Sequence, residues 1–304
     1  MAVITTGTHP KALWPGIKLW WGRSYDEHLP EYPDLFETDT SDKAYEEEVE
    51  ITGFGLAPVK PQGSQIFYDT EVQGPVSRYT HVAYALGYIV TYEELRDDLY
   101  EIVSKRRAQQ LAFSMRQTKE NILAGIYNNG FTASAPYLGA DQVALFSASH
   151  PTLSGNQSNL LTTAADLSET SVEDLCIQIM QTTNNRGMKI SALPQSLHVP
   201  PPLWFDANRI YHSVLQNDTA NNAVNVLRAT GVFPKGIKVN HYFTSATAWF
   251  IRTNVPRSIQ YFERDAISFD QDNDFDTKNA KAACYERYSA FWSDWRGAFG
   301  TPGV

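Results

Sequence analysis

Beyond Leu95 the apolar residues return every three or four positions: Leu95, Leu99, Ile102 and Val103, then Leu111, Met115, Ile122 and Ile126 after a polar gap around Arg106. That period marks an amphipathic helix. Thr91 stands three residues before Glu94, the spacing of a capping box, and Asn128-Asn129-Gly130 supplies a stop. The pattern predicts one helix over about 92–128, a strut of about 50 Å at 1.5 Å per residue. Its polar face carries Arg96, Asp97, Asp98, Lys105, Arg106, Arg107 and Glu120. Solvation accounts for these charges; pairing with neighbouring chains is the sharper reading.

Upstream the period shortens to two. In Tyr45 to Val72, Val49 and Ile51 sit among acidic residues, Ile66 and Tyr68 alternate with Phe67 and Asp69, and the turn-forming APVKPQGSQ lies between. This predicts a long two-stranded hairpin with a Pro/Gly tip. A lone hairpin is marginal in water, so a projecting one needs something to lie against, and a neighbouring subunit would serve. His81 to Thr91 reads as a strand that feeds the helix.

Downstream, residues 131–167 form a loop region. A helix capped by Ser168 or Ser171 carries Val172, Leu175 and Ile179 on one face and ends near Asn184 to Gly187. Ser196 to Gln216 reads as a strand, a proline-marked helix start and a helix. Short strands are expected at Ile237–Val239, within Tyr242–Ile251 and around 258–270. A terminal strand follows within 274–295, and SDWRGAFGTPG is read as a tail. Helices and strands do not alternate as a doubly wound sheet requires, so the fold class is α+β.

The first forty-odd residues lack a steady period. Prolines recur at 10, 15, 30 and 33, and Leu13–Trp21 carries Trp14, Trp20 and Trp21. Exposed in water such a patch is a liability. It either docks on another subunit or packs on its own core.

Composition narrows the function. The 304 residues are 42% hydrophobic and 19% charged, with a formal net charge of −9, so the chain can bury a core and has no overall charge for gripping phosphates. The two cysteines, Cys176 and Cys284, are far apart and stand in no metal-type spacing. The start of the chain has no signal-peptide pattern, and the longest apolar run, Val82 to Val90, is half of what a membrane span needs. A soluble protein, intracellular at synthesis, is the expectation.

The chemical inventory is short. No phosphate loop or GxGxxG follows a strand, and none of the seven histidines has ligand spacing to another, so neither a cofactor nor a metal is expected. The Asp270, Asp272, Asp274 and Asp276 run lacks the glycine and distal glutamate of an EF-hand loop and reads as a solvated acidic turn. ALFSASHPTLSGNQSN, residues 144–159, sets Ser147 and Ser149 beside His150. A serine hydrolase needs a strained turn and a shared hydrogen bond, whereas neighbouring side chains on an extended segment point to opposite faces. The expectation is a loop in which His150 and Asn159 pin a turn, and no enzyme.

The ordered series SRYTHVAYALGYIVTYEELRDD, TKENILAGIYNNGF, LFSASHPTLSGNQSN, SLHVPPPLWFDANRI, SATAWFIR and YERYSAFWSDWRGAFGTPG resembles the major capsid proteins of tailed bacteriophages with the HK97 fold. The similarity is greatest to the Mu-like major head subunit group and its relatives. It spans most of residues 45–304. The resemblance implies an N-terminal arm (1–44), an E-loop (45–80), a peripheral domain with the spine helix (81–167 and 265–304) and an axial domain (168–264). It implies a homo-oligomer: pentamers and hexamers of an icosahedral shell around double-stranded DNA, bound without sequence specificity, located in the virion capsid after assembly in the host cytoplasm. A portal protein and a possible decoration protein are implied partners. The E-loop begins near residue 45 and Met1 opens the chain, so a separate scaffolding protein is expected rather than a cleaved segment. Trp14, Trp20, Trp21, Lys60, Arg106 and Arg107 are the expected inter-subunit contacts. An encapsulin-like cellular compartment shell is the alternative of the same fold, and a hydrolase using Ser149 and His150 is the alternative of another class.

Overall fold

A computed structural model describes residues 21–26, 29–96, 105–216, 223–277 and 279–304. Two four-stranded sheets form the body, and two strands of the second, Trp249–Thr253 and Ala298–Thr301, are buried at every position. The first joins β1 (Glu37–Thr40), β4 (Val82–Val90), β8 (Ile259–Asn273) and β9 (Ala280–Trp292) in the order β1-β8-β9-β4. The second joins β5 (Pro194–Val199), β6 (Ile237–Val239), β7 (Trp249–Thr253) and β10 (Ala298–Thr301) in the order β10-β7-β5-β6. A separate antiparallel ribbon pairs β2 (Tyr45–Ile51) with β3 (Gln73–Thr80). After a helical stretch at 21–26, the short helices α1 (Tyr32–Leu35) and α2 (Tyr92–Arg96) precede the long α3 (Lys105–Asn128); α4 (Glu169–Gln181), α5 (Trp204–His212) and α6 (Val226–Thr230) follow.

The helix α3 lies against the first sheet because its stripe of Ala108, Leu111, Ala112 and Met115 meets Phe269, Ala282 and Cys284. Its C-terminal half enters a second, larger core that holds Leu123, Tyr127, Phe146, Phe250, Tyr288 and Trp295 and so fuses the two sheets. The predicted stop falls at Asn128. Residues 97–104 lie outside the described part, so Leu99, Ile102, Val103 and the unity of the predicted 92–128 helix cannot be followed. The cap is present: Glu94 N–H donates to Thr91 Oγ1 at 3.4 Å.

The serines 168 and 171 both serve α4. Ser168 caps it and accepts from Ser171 N–H, while the Ser171 side chain accepts from Ser168 N–H. That helix ends at Gln181, earlier than expected, because 183–189 close into a turn bridged at Thr183 and Lys189 with Gly187 at φ 80°.

Four expectations are corrected. The second hairpin strand is Gln73–Thr80, not the stretch around Ile66 and Tyr68; residues 52–72 join no ladder. The two predicted strands around 258–270 are one strand of 15 residues that stays continuous through irregularities near Asp265. The tail is no tail: Ala298–Thr301 pairs with β7 and is buried throughout, with Gly300 so close to Phe250 that a Cβ would lie 2.6 Å from the ring. The arm also ends sooner than residue 44, since residues 31–41 are bound into their own subunit. Glu120 accepts from the Glu31 and Tyr32 N–H groups at 3.0 and 3.1 Å. Tyr127 Oη donates to Leu35 O at 3.0 Å, and β1 pairs with β8 in parallel.

Candidate assembly surfaces

The β2–β3 ribbon projects because only one of its faces is satisfied by its own chain. Glu46, Glu48, Glu50, Ser77 and Tyr79 turn toward the body. On the other face Val49 lies opposite Val76 with both exposed, and Ile51 and Val72 are exposed beside them. Arg78 sits over the Tyr45 ring at 3.7 Å. Beyond the ladder, Phe54, Leu56, Val59, Ile66, Phe67 and Tyr68 are all exposed, Val59 at 93%. The tip is a turn at Pro61–Ser64, where Ser64 N–H donates to Pro61 O and Gly63 takes φ 84°, a conformation that suits glycine. Lys60 stands exposed beside it.

The root of this loop is clamped. Arg186 Nη1 bonds Asp69 Oδ2 at 2.7 Å and its other Nη donates to Thr70 O. Asn185 Nδ2 donates to Glu50 Oε1 at 2.6 Å, and Arg296, itself buried, lies 3.8 Å from the same carboxylate and 3.2 Å from Asp294. Burial pushes the Glu50 carboxyl up, and the Asn185 hydrogen bond offsets part of that. Asp69 is held down by the Gly55 and Thr70 N–H groups and Arg186. The turn that stops α4 early therefore presents the residues that grip the loop.

The other expected contacts separate. Trp21 is only 7% exposed, stacked between Tyr25 at 5.3 Å and Phe269 at 5.4 Å of its own chain. Its ring is spent inside the subunit. Trp14 and Trp20 lie outside the described residues. Arg107 bonds Glu94 at 2.6 Å and ties α2 to α3, while Arg106 is exposed.

Not every charge of the helix is solvated. Glu120 is buried as a receptor for the Glu31 and Tyr32 backbone, which corrects the expectation for that residue. Lys119, which the periodicity did not single out, is buried 3.1 Å from Glu286 with Tyr32, Tyr261 and Tyr288 rings 5.1–5.6 Å from its ammonium. Burial raises the Glu286 carboxyl, and Lys119 counters it.

The serine–histidine stretch performs a structural task. His150 is fully buried and stacked on Trp295 at 4.6 Å. Its Nδ1 lies 2.7 Å from Asp141 Oδ2 and its Nε2 3.3 Å from Asn159 Oδ1. Both ring nitrogens are thus engaged by groups other than Ser147 or Ser149, so His150 is not placed as a base for either serine. Asn159 fastens three backbone groups on two segments: it accepts from Ser147 N–H at 2.8 Å and donates to Leu145 O at 2.7 Å and Ala298 O at 3.0 Å. The turn-pinning expectation describes Asn159 directly; His150 acts through its ring on side chains.

The acidic run divides between strand and turn: Asp270 and Asp272 lie on β8, and Asp274 bonds Lys281 at 2.8 Å. Among the described residues no group of three or more His, Cys, Asp or Glu side chains could hold a metal ion, and no helix is long and apolar enough to cross a membrane. Burial pushes the Cys176 and Cys284 thiols up to about 12, which disfavours the nucleophilic thiolate.

The sequence pattern of the phage capsid protein family matches residues 75–300, well over half of the chain. The chain therefore belongs to that family, and its fold is of the HK97 type. Solved structures share the fold at low identity. A chain of Mycobacterium phage Patience is 10% identical with a TM-score of 0.55 over 98% of this chain and 88% of its own. The virus-like particle from Pyrococcus furiosus gives 10%, 0.53, 94% and 97% for the same measures. Microbacterium phage Oxtober96 gives 9%, 0.51, 88% and 86%. No curated protein matches the sequence.

Proposed function

We propose that this major capsid protein self-assembles into pentamers and hexamers of an icosahedral shell that encloses packaged double-stranded DNA. The observation that carries the reading is the capsid-family match over residues 75–300. The projecting ribbon supports it, because it exposes an apolar face whose satisfaction requires another surface. Residues 45–80 act as the E-loop, 81–167 and 265–304 as the peripheral domain, and 168–264 as the axial domain. Residues 1–20, with Trp14 and Trp20, dock on neighbouring subunits, as do Lys60 and Arg106. Assembly takes place in the host cytoplasm with a separate scaffolding protein and a portal protein. The acidic balance suits a wall that contains DNA without gripping its phosphates. Many modest interfaces per subunit add through multivalency. The protein serves as structure, without catalysis.

Negative-stain microscopy of the purified protein, alone and co-expressed with a scaffold, tests this. Shells, rings or tubes are expected; a strictly monomeric species under every assembly condition overturns it. Terminase and portal genes beside the coding sequence are expected, and a cargo-enzyme gene there instead would favour a compartment shell.

A further inference from the structure

Among the described residues the strand β4, Val82–Val90, stands at the edge of its sheet. Its sequence VAYALGYIV contains no charge and no proline, and its ladder with β9 runs through all nine residues without a register shift. Edge strands are normally blunted by charges, prolines or bulges, so an intact apolar edge is a template for another strand. Among the described residues β4 pairs only with β9.

Two further features lie at this edge. On the side facing α3, a cavity of about 980 Å³ opens beside the first residues of β4 and is lined by Val82, Tyr84, Ile122 and Ile126 among others. On the opposite face, β9 presents Tyr285 across from Ala85 and Arg287 across from Ala83. The edge thus has on one side a groove that is apolar at Val82, Tyr84, Ile122 and Ile126 and polar farther out at Asn121 and Asn128, and on the other an aromatic and a cation.

The same chain carries a segment that matches both sides. Residues 65–72 join no ladder, yet their sequence QIFYDTEV alternates. Ile66, Tyr68, Thr70 and Val72 make one face; Gln65, Phe67, Asp69 and Glu71 make the other. As a strand, this segment presents an apolar side and an acidic side. It cannot reach β4 of its own subunit. The eight residues of β3 separate the two by about 26 Å, at 3.3 Å per residue, and only His81 links β3 to β4. Asp69 and Thr70 are also clamped to Arg186.

We infer that residues 65–72 of one subunit add as a strand to the free edge of β4 of a second copy. Ile66 and Tyr68 lie beside Leu86 and Tyr84 on the groove side, which puts Phe67 across from Ala85 and against Tyr285. Backbone hydrogen bonds supply the affinity, and the alternate side chains fix the register. Donor and acceptor are different surfaces, so the contact is heterologous, the type that forms rings when its rotation closes. This inference rests on the shell reading and specifies the receptor for its projecting loop.

Cysteine crosslinking in assembled particles tests it. Ile66→Cys, Phe67→Cys and Tyr68→Cys are each combined with Ala85→Cys and oxidised. Ala85 points to the face opposite the native Cys284, which lies across from Leu86, so the native thiol does not compete. Expected is a ladder of covalent oligomers for Phe67→Cys and little for its two neighbours, the period-two signature of a strand. Mixing the Phe67→Cys and Ala85→Cys single variants is expected to give dimers and nothing longer. Particles that form normally but give no crosslink, equal yields at all three positions, or crosslinks confined to one chain, would each sink the strand addition and leave the shell reading intact. A wild-type protein that forms no particles would instead remove the shell reading itself. Ala85→Lys supplies a second arm: a folded subunit with unchanged melting midpoint and lost particle yield is expected. Normal yield overturns the inference.

Discussion

Asn159 illustrates how much one buried amide can hold. Its side chain satisfies Leu145 O, Ala298 O and Ser147 N–H, groups from two distant parts of the chain. Asn159→Ala leaves these buried polar groups unpaired at about 1–3 kcal/mol each before relaxation, so a loss of about 3 kcal/mol is expected in denaturant unfolding of the unassembled subunit. Ser149→Ala, by contrast, removes an exposed hydroxyl with no role at His150 and is expected to change neither stability nor assembly. His198 shows how burial couples to pH. It is enclosed in β5, where burial, helped by Arg252, Lys238 and Lys235, lowers its pKa to about 3. The folded state therefore refuses a proton that the unfolded state accepts near pH 6.5. Stability is retained above that value and falls as pH drops toward 3, with a limiting slope of about 1.4 kcal/mol per pH unit for one proton. His198→Gln is expected to flatten this acid limb in thermal melts taken from pH 7 to 4; an unchanged slope removes His198 as its source.

At the scale of elements, the loop clamp and the buried ion pair behave oppositely. Arg186 and Asp69 are each partly exposed, so their pair adds about 0–1 kcal/mol to the fold. Arg186→Ala is expected to leave the melting midpoint nearly unchanged, to speed protease cleavage within residues 52–72 and to reduce particle yield. If cleavage and yield match the wild type, the clamp has no assembly role. Lys119 and Glu286 are both buried, and removing one leaves the other charge stranded in the core. Lys119→Met alone is expected to cost about 3–5 kcal/mol, and the double change with Glu286→Leu to recover much of it. Equal destabilisation by the single and double variants would contradict this coupling. The helix and the first hairpin strand were visible in the periods of their residues, whereas the second strand, Gln73–Thr80, and the role of each charge were not. Glu120 and Lys119 occupy the helix like any solvated pair. Only packing against residues 31–32 and β9 shows that both are interior.

For the molecule as a whole, the position of Trp21 separates two truncations. Deleting residues 1–20 leaves Trp21 in place and is expected to give a subunit that melts like the wild type and assembles poorly. Deleting residues 1–24 also removes the Trp21 ring from between Tyr25 and Phe269, at an added cost of about 3–5 kcal/mol. Calorimetry and negative stain on both proteins separate a docking arm from a core segment; normal shells from the shorter deletion would refute the docking role of Trp14 and Trp20.

The sequence by itself determined the elements whose signal is local: the α3 stripe, the caps at Thr91 and Ser168, the turn at Pro61–Ser64 and the strands β4, β5, β6 and β9. It also determined that no phosphate-loop or EF-hand motif is present, because such motifs are written in short spacings. Tertiary structure alone decided the rest. The five-residue α6 and the four-residue β1 and β10 are too short for a period to show, and they exist because distant partners cover them. Glu120 meets Glu31 across 89 positions, and Lys119 meets Glu286 across 167. Which strand stands at a sheet edge is a property of strand order, not of any one strand's residues. Periodicity reports which faces of an element are apolar; only the assembled chain sets what each face meets.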